Sequence, residues 1–294
     1  MFAALALLAI SLQAAPEPPA PETLELGRAA DGRLSIDVTI EGRGPWPFIL
    51  DTGASHTAIA QPVAVEFGFE PTGVLYDVQT LTEEIRAERL VLADVRASGL
   101  TAPHLDVVVV ETSTDLDLNL FGLLGNDMFE GRTTAIDVAN AELILDAPAP
   151  AHEDARLYPD RNVPVGEAVL RRARGPVHAL IDTGSARTII NSRLARRLRQ
   201  NGPRLRFDIM GASRLARRET DADAVRIDRF RIGGVCGAGL VAVRADVDVF
   251  RDMGWAGEPA MIIGMDALAD AVITIDHDTG VVEISPAQGG RCRR

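Results

Sequence analysis

The chain has 294 residues, enough for one large domain or for two that each bury a core. Hydrophobic residues make up 47% and aromatic ones only 4%, which fits a globular chain built on Val, Ile, Leu and Ala. A formal net charge of −12, with no dense basic stripe, argues against a nucleic-acid surface.

Residues 1–15 carry an apolar run, Phe2 to Leu12, too short to span a bilayer and suited to the core of a secretory signal peptide. Residues 16–29 begin Pro-Glu-Pro-Pro-Ala-Pro and read as an extended linker. The first folded unit is expected over 30–147. Within it, Leu34 to Ile40 alternates apolar and polar, the period of a half-buried strand. Arg43-Gly44-Pro45 predicts a turn, and Phe48-Ile49-Leu50 a buried strand that runs straight into Asp51-Thr52-Gly53-Ala54-Ser55.

The same sequence of features returns 131 residues later. Arg174-Gly175-Pro176 precedes Ala179-Leu180-Ile181, which runs into Asp182-Thr183-Gly184-Ser185-Ala186. Thr57-Ala58-Ile59 matches Thr188-Ile189-Ile190 at that offset. Further on, Leu123-Leu124-Gly125-Asn126-Asp127 matches Ile262-Ile263-Gly264-Met265-Asp266 at an offset of 139. The repeat is a duplicated domain, too long in period for a solenoid. The second unit is expected over 160–286, after a Pro/Ala linker at 148–159, with a loose tail at 287–294. Strand-like alternation dominates both units, so the class is mostly β. Short helices are predicted after each apolar-apolar-Gly. Another is predicted from Ser192 to Gln200, with Asn191 as cap and Gly202 as stop.

A third Asp-Thr-Gly, 278–280, has no apolar run leading into it and reads as a hairpin turn. Asp115 to Asn119 lacks the Gly and Glu of a calcium loop. Four of the five histidines, His104, His152, His178 and His277, are scattered and read as surface or satisfied groups, while Trp46 and Trp255 read as core or inter-lobe filling. Cys236 and Cys292 either pair in an oxidising compartment or stand as unrelated thiols.

If the two copies pack about a pseudo-twofold axis, Asp51 and Asp182 meet at that axis. Two adjacent carboxylates cannot easily both ionise, so they share one proton. The ionised member can take a proton from a water held between them, and the protonated one can donate to a carbonyl oxygen. Such a pair hydrolyses an amide by acid–base chemistry and calls for no cofactor and no metal. Gly53 and Gly184 allow close backbone approach to the carboxylates and offer N–H donors. Thr52 and Thr183 place hydroxyls suited to tying the two loops together. Ser185 against Ala54 would put a hydroxyl beside Asp182 alone. Asp127 and Asp266 are expected as helix caps.

With FILDTGAS and ALIDTGSA, each followed by apolar-apolar-Gly (LLGND, IIGMD), the chain resembles the aspartic proteases of the retropepsin and pepsin type over nearly all of both units. Two copies in one chain resemble pepsins, whereas the short halves look more like bacterial exported retropepsin-like proteases. The resemblance implies a two-lobed acid-protease fold with Asp51 and Asp182 as catalytic pair. It also implies an extended polypeptide substrate, a periplasmic or secreted location and a monomer. A β-hairpin flap is implied in each lobe, near Asp77 to Glu84 (with Val78, Gln79 and Thr80) and near Asp208 to Leu215 (with Ile209, Met210 and Gly211). The first flap segment has no glycine and the second only Gly211, a departure that points to narrow specificity. The alternative is a catalytically silent module that keeps the fold and binds peptide, against which two intact Asp-Thr-Gly copies argue.

Overall fold

The computed structural model describes residues 20–66, 68–70, 72–81, 83–110, 121–198, 204–209, 218–289 and 292, with 204–209 and 218–222 described by backbone alone. The apolar run at 1–15, the acidic loop at 115–119 and the helix stop at Gly202 lie outside these residues.

Chain order begins with β1 (Glu22–Glu25) and β2 (Gly27–Arg28). Both fall inside the stretch 16–29 expected as linker. The linker composition ends at Pro21. From there Leu24 and Leu26, both nearly buried, alternate with polar residues and can pair with a sheet. The N-terminal lobe follows with β3 (Leu34–Ile40), β4 (Arg43–Leu50), β5 (Ala58–Ala60), β6 (Leu75–Gln79), β7 (Glu84–Ala97), β8 (Leu100–Val110) and β9 (Gly122–Leu124). The β3–β4 turn is Glu41-Gly42, not Arg43-Gly44-Pro45, which lies within β4. Both turn residues have positive φ, 51° and 74°, the two-residue hairpin geometry that Gly42 permits. Strands β3, β4, β9, β5, β8 and β7 are hydrogen-bonded in that order, and β7 returns to β3, closing a six-stranded barrel. Closure leaves no free barrel edge. The β4–β9 and β5–β8 pairings are parallel.

Two strands, β10 (Thr133–Asp137) and β11 (Glu142–Leu145), leave the barrel. After them come β12 (Ala155–Leu157), β13 (Pro164–Leu170), β14 (Val177–Ile181), β15 (Ile189–Ile190), β16 (Arg204–Ile209), β17 (Arg218–Ile232), β18 (Val235–Arg244), β19 (Ala260–Ile263), β20 (Ala271–Asp276) and β21 (Val281–Pro286). Strands β13, β14, β19, β15, β18 and β17 form a second barrel, closed by β17 on β13, again with two parallel pairings, β14–β19 and β15–β18. The presumed linker 148–159 therefore contains a strand, because β12 fills the slot between β21 and β13.

Beneath the barrels, β1, β11, β10, β20, β21 and β12 form one sheet shared by both lobes. At its centre β10 pairs antiparallel with β20, and Ala135 sits opposite Thr274. These two residues are equivalents under the 139-residue offset of this part of the repeat, so the pseudo-twofold axis passes between them.

Helices are few. Ser192–Leu198 (α2, after the short α1 at Gln61–Glu66) starts where Asn191 Oδ1 accepts the Leu194 N–H at 2.8 Å. A 3-10 turn, Asn126–Phe129, and α4 (Met265–Leu268) follow the two apolar-apolar-Gly segments, and α3 (Asp248–Asp252) lies between β18 and β19. The third Asp-Thr-Gly is a hairpin turn between β20 and β21. There Asp276 Oδ1 accepts the N–H groups of Asp278 and Thr279, both at 3.0 Å. Trp46 packs on the main core beside Phe121, and the buried Trp255 stacks on His178. Cys236 and Cys292 are disulfide-bonded, which fixes the tail to β18.

Candidate active site

Each Asp-Thr-Gly loop is launched by a buried strand and received by the next one. Asp51 follows β4, and its N–H donates to Leu124 O of β9 at 3.0 Å. Asp182 follows β14, and its N–H donates to Ile263 O of β19, also at 3.0 Å. Hydrophobic burial of β4 and β14 thus fixes where each carboxylate leaves its barrel. The glycines closing the apolar-apolar-Gly segments are needed for this. A Cβ on Gly125 would stand 2.6 Å from the His56 carbonyl carbon, and one on Gly264 2.6 Å from that of Arg187.

The loops lock to each other through their threonines. The Thr52 N–H donates to Thr183 Oγ1 at 3.0 Å, and the Thr183 N–H donates to Thr52 Oγ1 at 3.1 Å. Each hydroxyl then donates to the opposite strand, Thr52 Oγ1 to Ile181 O at 2.8 Å and Thr183 Oγ1 to Leu50 O at 2.7 Å. All four bonds are buried and cross between lobes, so every polar atom in the crossing is satisfied.

That crossing brings the Asp51 and Asp182 carboxyl groups into hydrogen-bond contact with each other. The glycines stand over the opposite partner. A Cβ on Gly53 would lie 2.7 Å from Asp182 Cγ, and one on Gly184 would lie 2.2 Å from Asp51 Cγ. Within each loop, Gly53 N–H donates to Asp51 Oδ1 at 2.9 Å, and Ser185 N–H donates to Asp182 Oδ1 at 3.0 Å. The Ser185 hydroxyl turns the other way, to Arg187 O at 2.8 Å, and does not distinguish the carboxylates as its position beside Asp182 had suggested. The Arg187 carbonyl, two residues on, takes that hydrogen, a local hydroxyl–backbone bond of the kind serine favours in turns.

Burial raises both carboxyls above the usual range. Asp182 rises well above it because Asp51's negative charge and hydrogen bond also favour its protonated form. For Asp51 the rise is opposed by the hydrogen bond from Asp182, by the charge of Arg33 and by backbone donors. Both directions favour a pair that shares one proton, with Asp182 the member held further up.

Asp127 and Asp266 do not cap their helical turns; Gly125 and Gly264 occupy the cap positions. Asp127 accepts the backbone N–H and hydroxyl of Thr57 at 2.9 and 2.8 Å, and Asp266 does the same for Thr188 at 2.9 and 2.7 Å. Burial raises both carboxyls. They pin the segment leaving each Asp-Thr-Gly loop.

Val78 and Gln79 end β6, and Thr80 begins a hairpin turn in which its N–H and its hydroxyl meet Glu83 O, each at 2.8 Å. Val78 and Ile85 lie against Ala58, Ala87 and Val108 of their own lobe. Leu81, at the hairpin tip, reaches the other lobe. It packs against the second-lobe cluster that includes Ile189, Val243, Val247, Phe250 and Ile262, and its carbonyl accepts the Val249 N–H at 3.4 Å. In the second lobe Ile209 pairs with Arg218 at the end of the β16–β17 ladder, whereas Met210 and Gly211 lie outside the described residues.

Three contributors were missed from sequence. Arg33 donates from Nη1 to Gly184 O at 3.2 Å. Asn126, 2% exposed, donates to Thr52 O at 2.8 Å and to Asn162 O at 2.7 Å. Leu81 is the third. Only Asn126 had a signal, as the polar residue of LLGND where the other copy has Met265. The others act across sequence distances that no local pattern marks.

Compared with known proteins, the chain is matched twice by a protein-family model described as aspartyl protease, over residues 36–128 and 172–267. No curated protein matches it.

Proposed function

Because the chain belongs to the aspartyl protease family, we propose that it is an aspartic endopeptidase whose catalytic pair is Asp51 and Asp182. The observation that carries this reading is the meeting of two buried carboxyls, hydrogen-bonded to each other, on loops joined by the Thr52–Thr183 crossing. A water between them loses a proton to the Asp51 carboxylate and attacks the peptide carbonyl carbon, while the Asp182 carboxylic acid protonates the carbonyl oxygen. The tetrahedral diol collapses as Asp51 returns its proton to the amide nitrogen. Asp182 regains one from a diol hydroxyl, the C–N bond breaks, and the starting protonation is restored. Thr52, Thr183, Gly53, Gly184 and the Ser185 N–H act by holding the carboxyls in this geometry.

The substrate is an extended polypeptide, and its range is narrow. Narrowness is supported by the Leu81 tip, which already lies against the far lobe over a flap turn without glycine. Both halves of the site come from one chain, which supports a working monomer. Export to the periplasm or medium is supported by the Cys236–Cys292 bond together with the apolar run at 1–15.

The test is cleavage of a mixed peptide library by the protein from acid to neutral pH, beside Asp51→Asn and Asp182→Asn. Cutting by the parent and none by either variant is expected. An inert parent that remains folded, or a variant that still cuts, overturns the reading.

A further inference from the structure

The two loops are symmetric in backbone, but the charge beside them is not. Arg33 immediately precedes β3, and the residue is 9% exposed. Its Nε donates to Asp31 Oδ2 at 2.7 Å, and its backbone N–H donates to Asp31 Oδ1 at 3.1 Å. Its Nη1 crosses the lobe boundary to Gly184 O at 3.2 Å. Gly184 is the residue whose missing side chain makes room for the Asp51 carboxyl. The strand registers of the two barrels make Val163 the equivalent position in the second copy, and its side chain carries no charge and no donor.

We propose that Arg33 is a positioning residue that makes the aspartate pair unequal, holding Asp51 as the member that ionises first and leaving Asp182 as the acid. A buried cation favours the charged form of the nearer carboxyl, and the hydrogen bond to Gly184 O fixes that cation on the Asp51 side. Asp31 tempers the effect, because its negative charge offsets part of the guanidinium. The other titratable groups packed nearby face elsewhere. Asp127 is held by Thr57 with His56 acting on it, and Asp266 is held by Thr188 with Arg187 acting on it. Among the charges acting on Asp51, Arg33 is the cation, and it draws the carboxyl back down against burial.

The effect on rate rests on the endopeptidase reading; the effect on ionisation does not, and the experiment separates them. Arg33→Gln removes the charge, Arg33→Lys keeps it without the fork, and Asp31→Asn keeps the hydrogen-bond acceptor while removing the opposing charge. Each is followed by the pH dependence of kcat/KM on a cleaved peptide. Each is also followed by titration of the paired carboxyls by carbon NMR, with the signals assigned by Asp51→Asn and Asp182→Asn. In Arg33→Gln the first ionisation of the pair, and with it the acid limb of the rate profile, should move up by about one pH unit. Asp31→Asn should move it down, and Arg33→Lys should stay near the parent. Superimposable titrations for the parent, Arg33→Gln and Asp31→Asn overturn the proposal. So does an upward shift in Asp31→Asn, which also decides the matter if Arg33→Gln does not fold. A parent that shows the carboxyl shifts but cuts no peptide sinks the endopeptidase reading and leaves the Arg33 assignment standing.

Discussion

Thr52 and Thr183 exchange backbone N–H donors, each giving to the other's hydroxyl at 3.0 and 3.1 Å across the boundary between lobes. Truncating either residue leaves a buried N–H of its partner and a buried strand carbonyl without their bonds. Thr52→Ala or Thr183→Ala should each cost about 2–3 kcal/mol in denaturant unfolding. Thr→Ser at the same site should cost well under half of that. Peptidase activity should fall in both alanine variants, since the loops carry the carboxyls. Equal losses for Ser and Ala would show that the methyl packing, not the hydroxyl crossing, holds the lobes.

Gly53→Ala and Gly184→Ala add one methyl each, at 2.7 and 2.2 Å from the opposing Asp Cγ. Neither position has left-handed backbone, so the clash is with the carboxyl and not with the chain's own conformation. Both variants should fold and lose at least a hundredfold in kcat/KM, with Gly184→Ala the worse. Circular dichroism beside peptide cleavage checks this. Retained activity in Gly184→Ala would mean that the carboxyls can work further apart than they stand.

His277 donates or accepts through Nε2 with Thr134 Oγ1 at 3.1 Å, and its buried Nδ1 has no partner among the described residues. Burial lowers its pKa to about 4, from 6.5 for the free side chain. Above pH 6.5 the ring is neutral folded or unfolded. Between 6.5 and 4 only the unfolded chain takes up the proton, so this group's stability contribution is lost as pH falls through that window, by about 3 kcal/mol in all. In His277→Gln that component should be missing. The stability gap between parent and variant in urea should therefore narrow from pH 7 to pH 4, and a constant gap would refute it.

Leu81 ties the first flap to the second lobe. Leu81→Ala removes most of that apolar contact, worth about 1–2 kcal/mol. The amides of the β6–β7 ladder near Gln79 and Glu84 should then exchange roughly tenfold faster, while those of the barrels are unchanged. The range of peptides cut should widen toward bulkier side chains. Hydrogen exchange and library cleavage read the two effects separately, and unchanged exchange would show that the tip contact does not restrain the hairpin.

Much of this was legible in the sequence because it is local or repeated. The run of apolar residues into Asp51 and Asp182 marks strands that end on a carboxylate. A constant offset across turn, strand and motif marks two copies of one fold. Asn191 announced its helix by cap chemistry alone, and Asp278 betrayed a turn by lacking an apolar approach. What was hidden depends on long-range packing or on small choices of hydrogen-bond partner. β1 looked like linker because proline composition outweighed the single alternation of Leu24 and Leu26. Asp127 and Asp266 looked like caps because their position at a helix start says nothing of Thr57 or Thr188, 70 and 78 residues upstream. The turn near Gly44 was set two residues late because Glu41 gives no sign of its positive φ.

The pairing of Ala135 with Thr274 carries a last consequence. Where two separate identical subunits meet across such an axis, any substitution appears twice, and a charge placed beside one aspartate is copied beside the other. Here the equivalent strands belong to one continuous polypeptide. A change on one side is made once, so Arg33 can have Val163 as its counterpart in the other lobe and one flap can grow a long-range anchor. The covalent join turns a mirrored pair of half-sites into a left and a right, and an asymmetric reaction can be served by asymmetric walls.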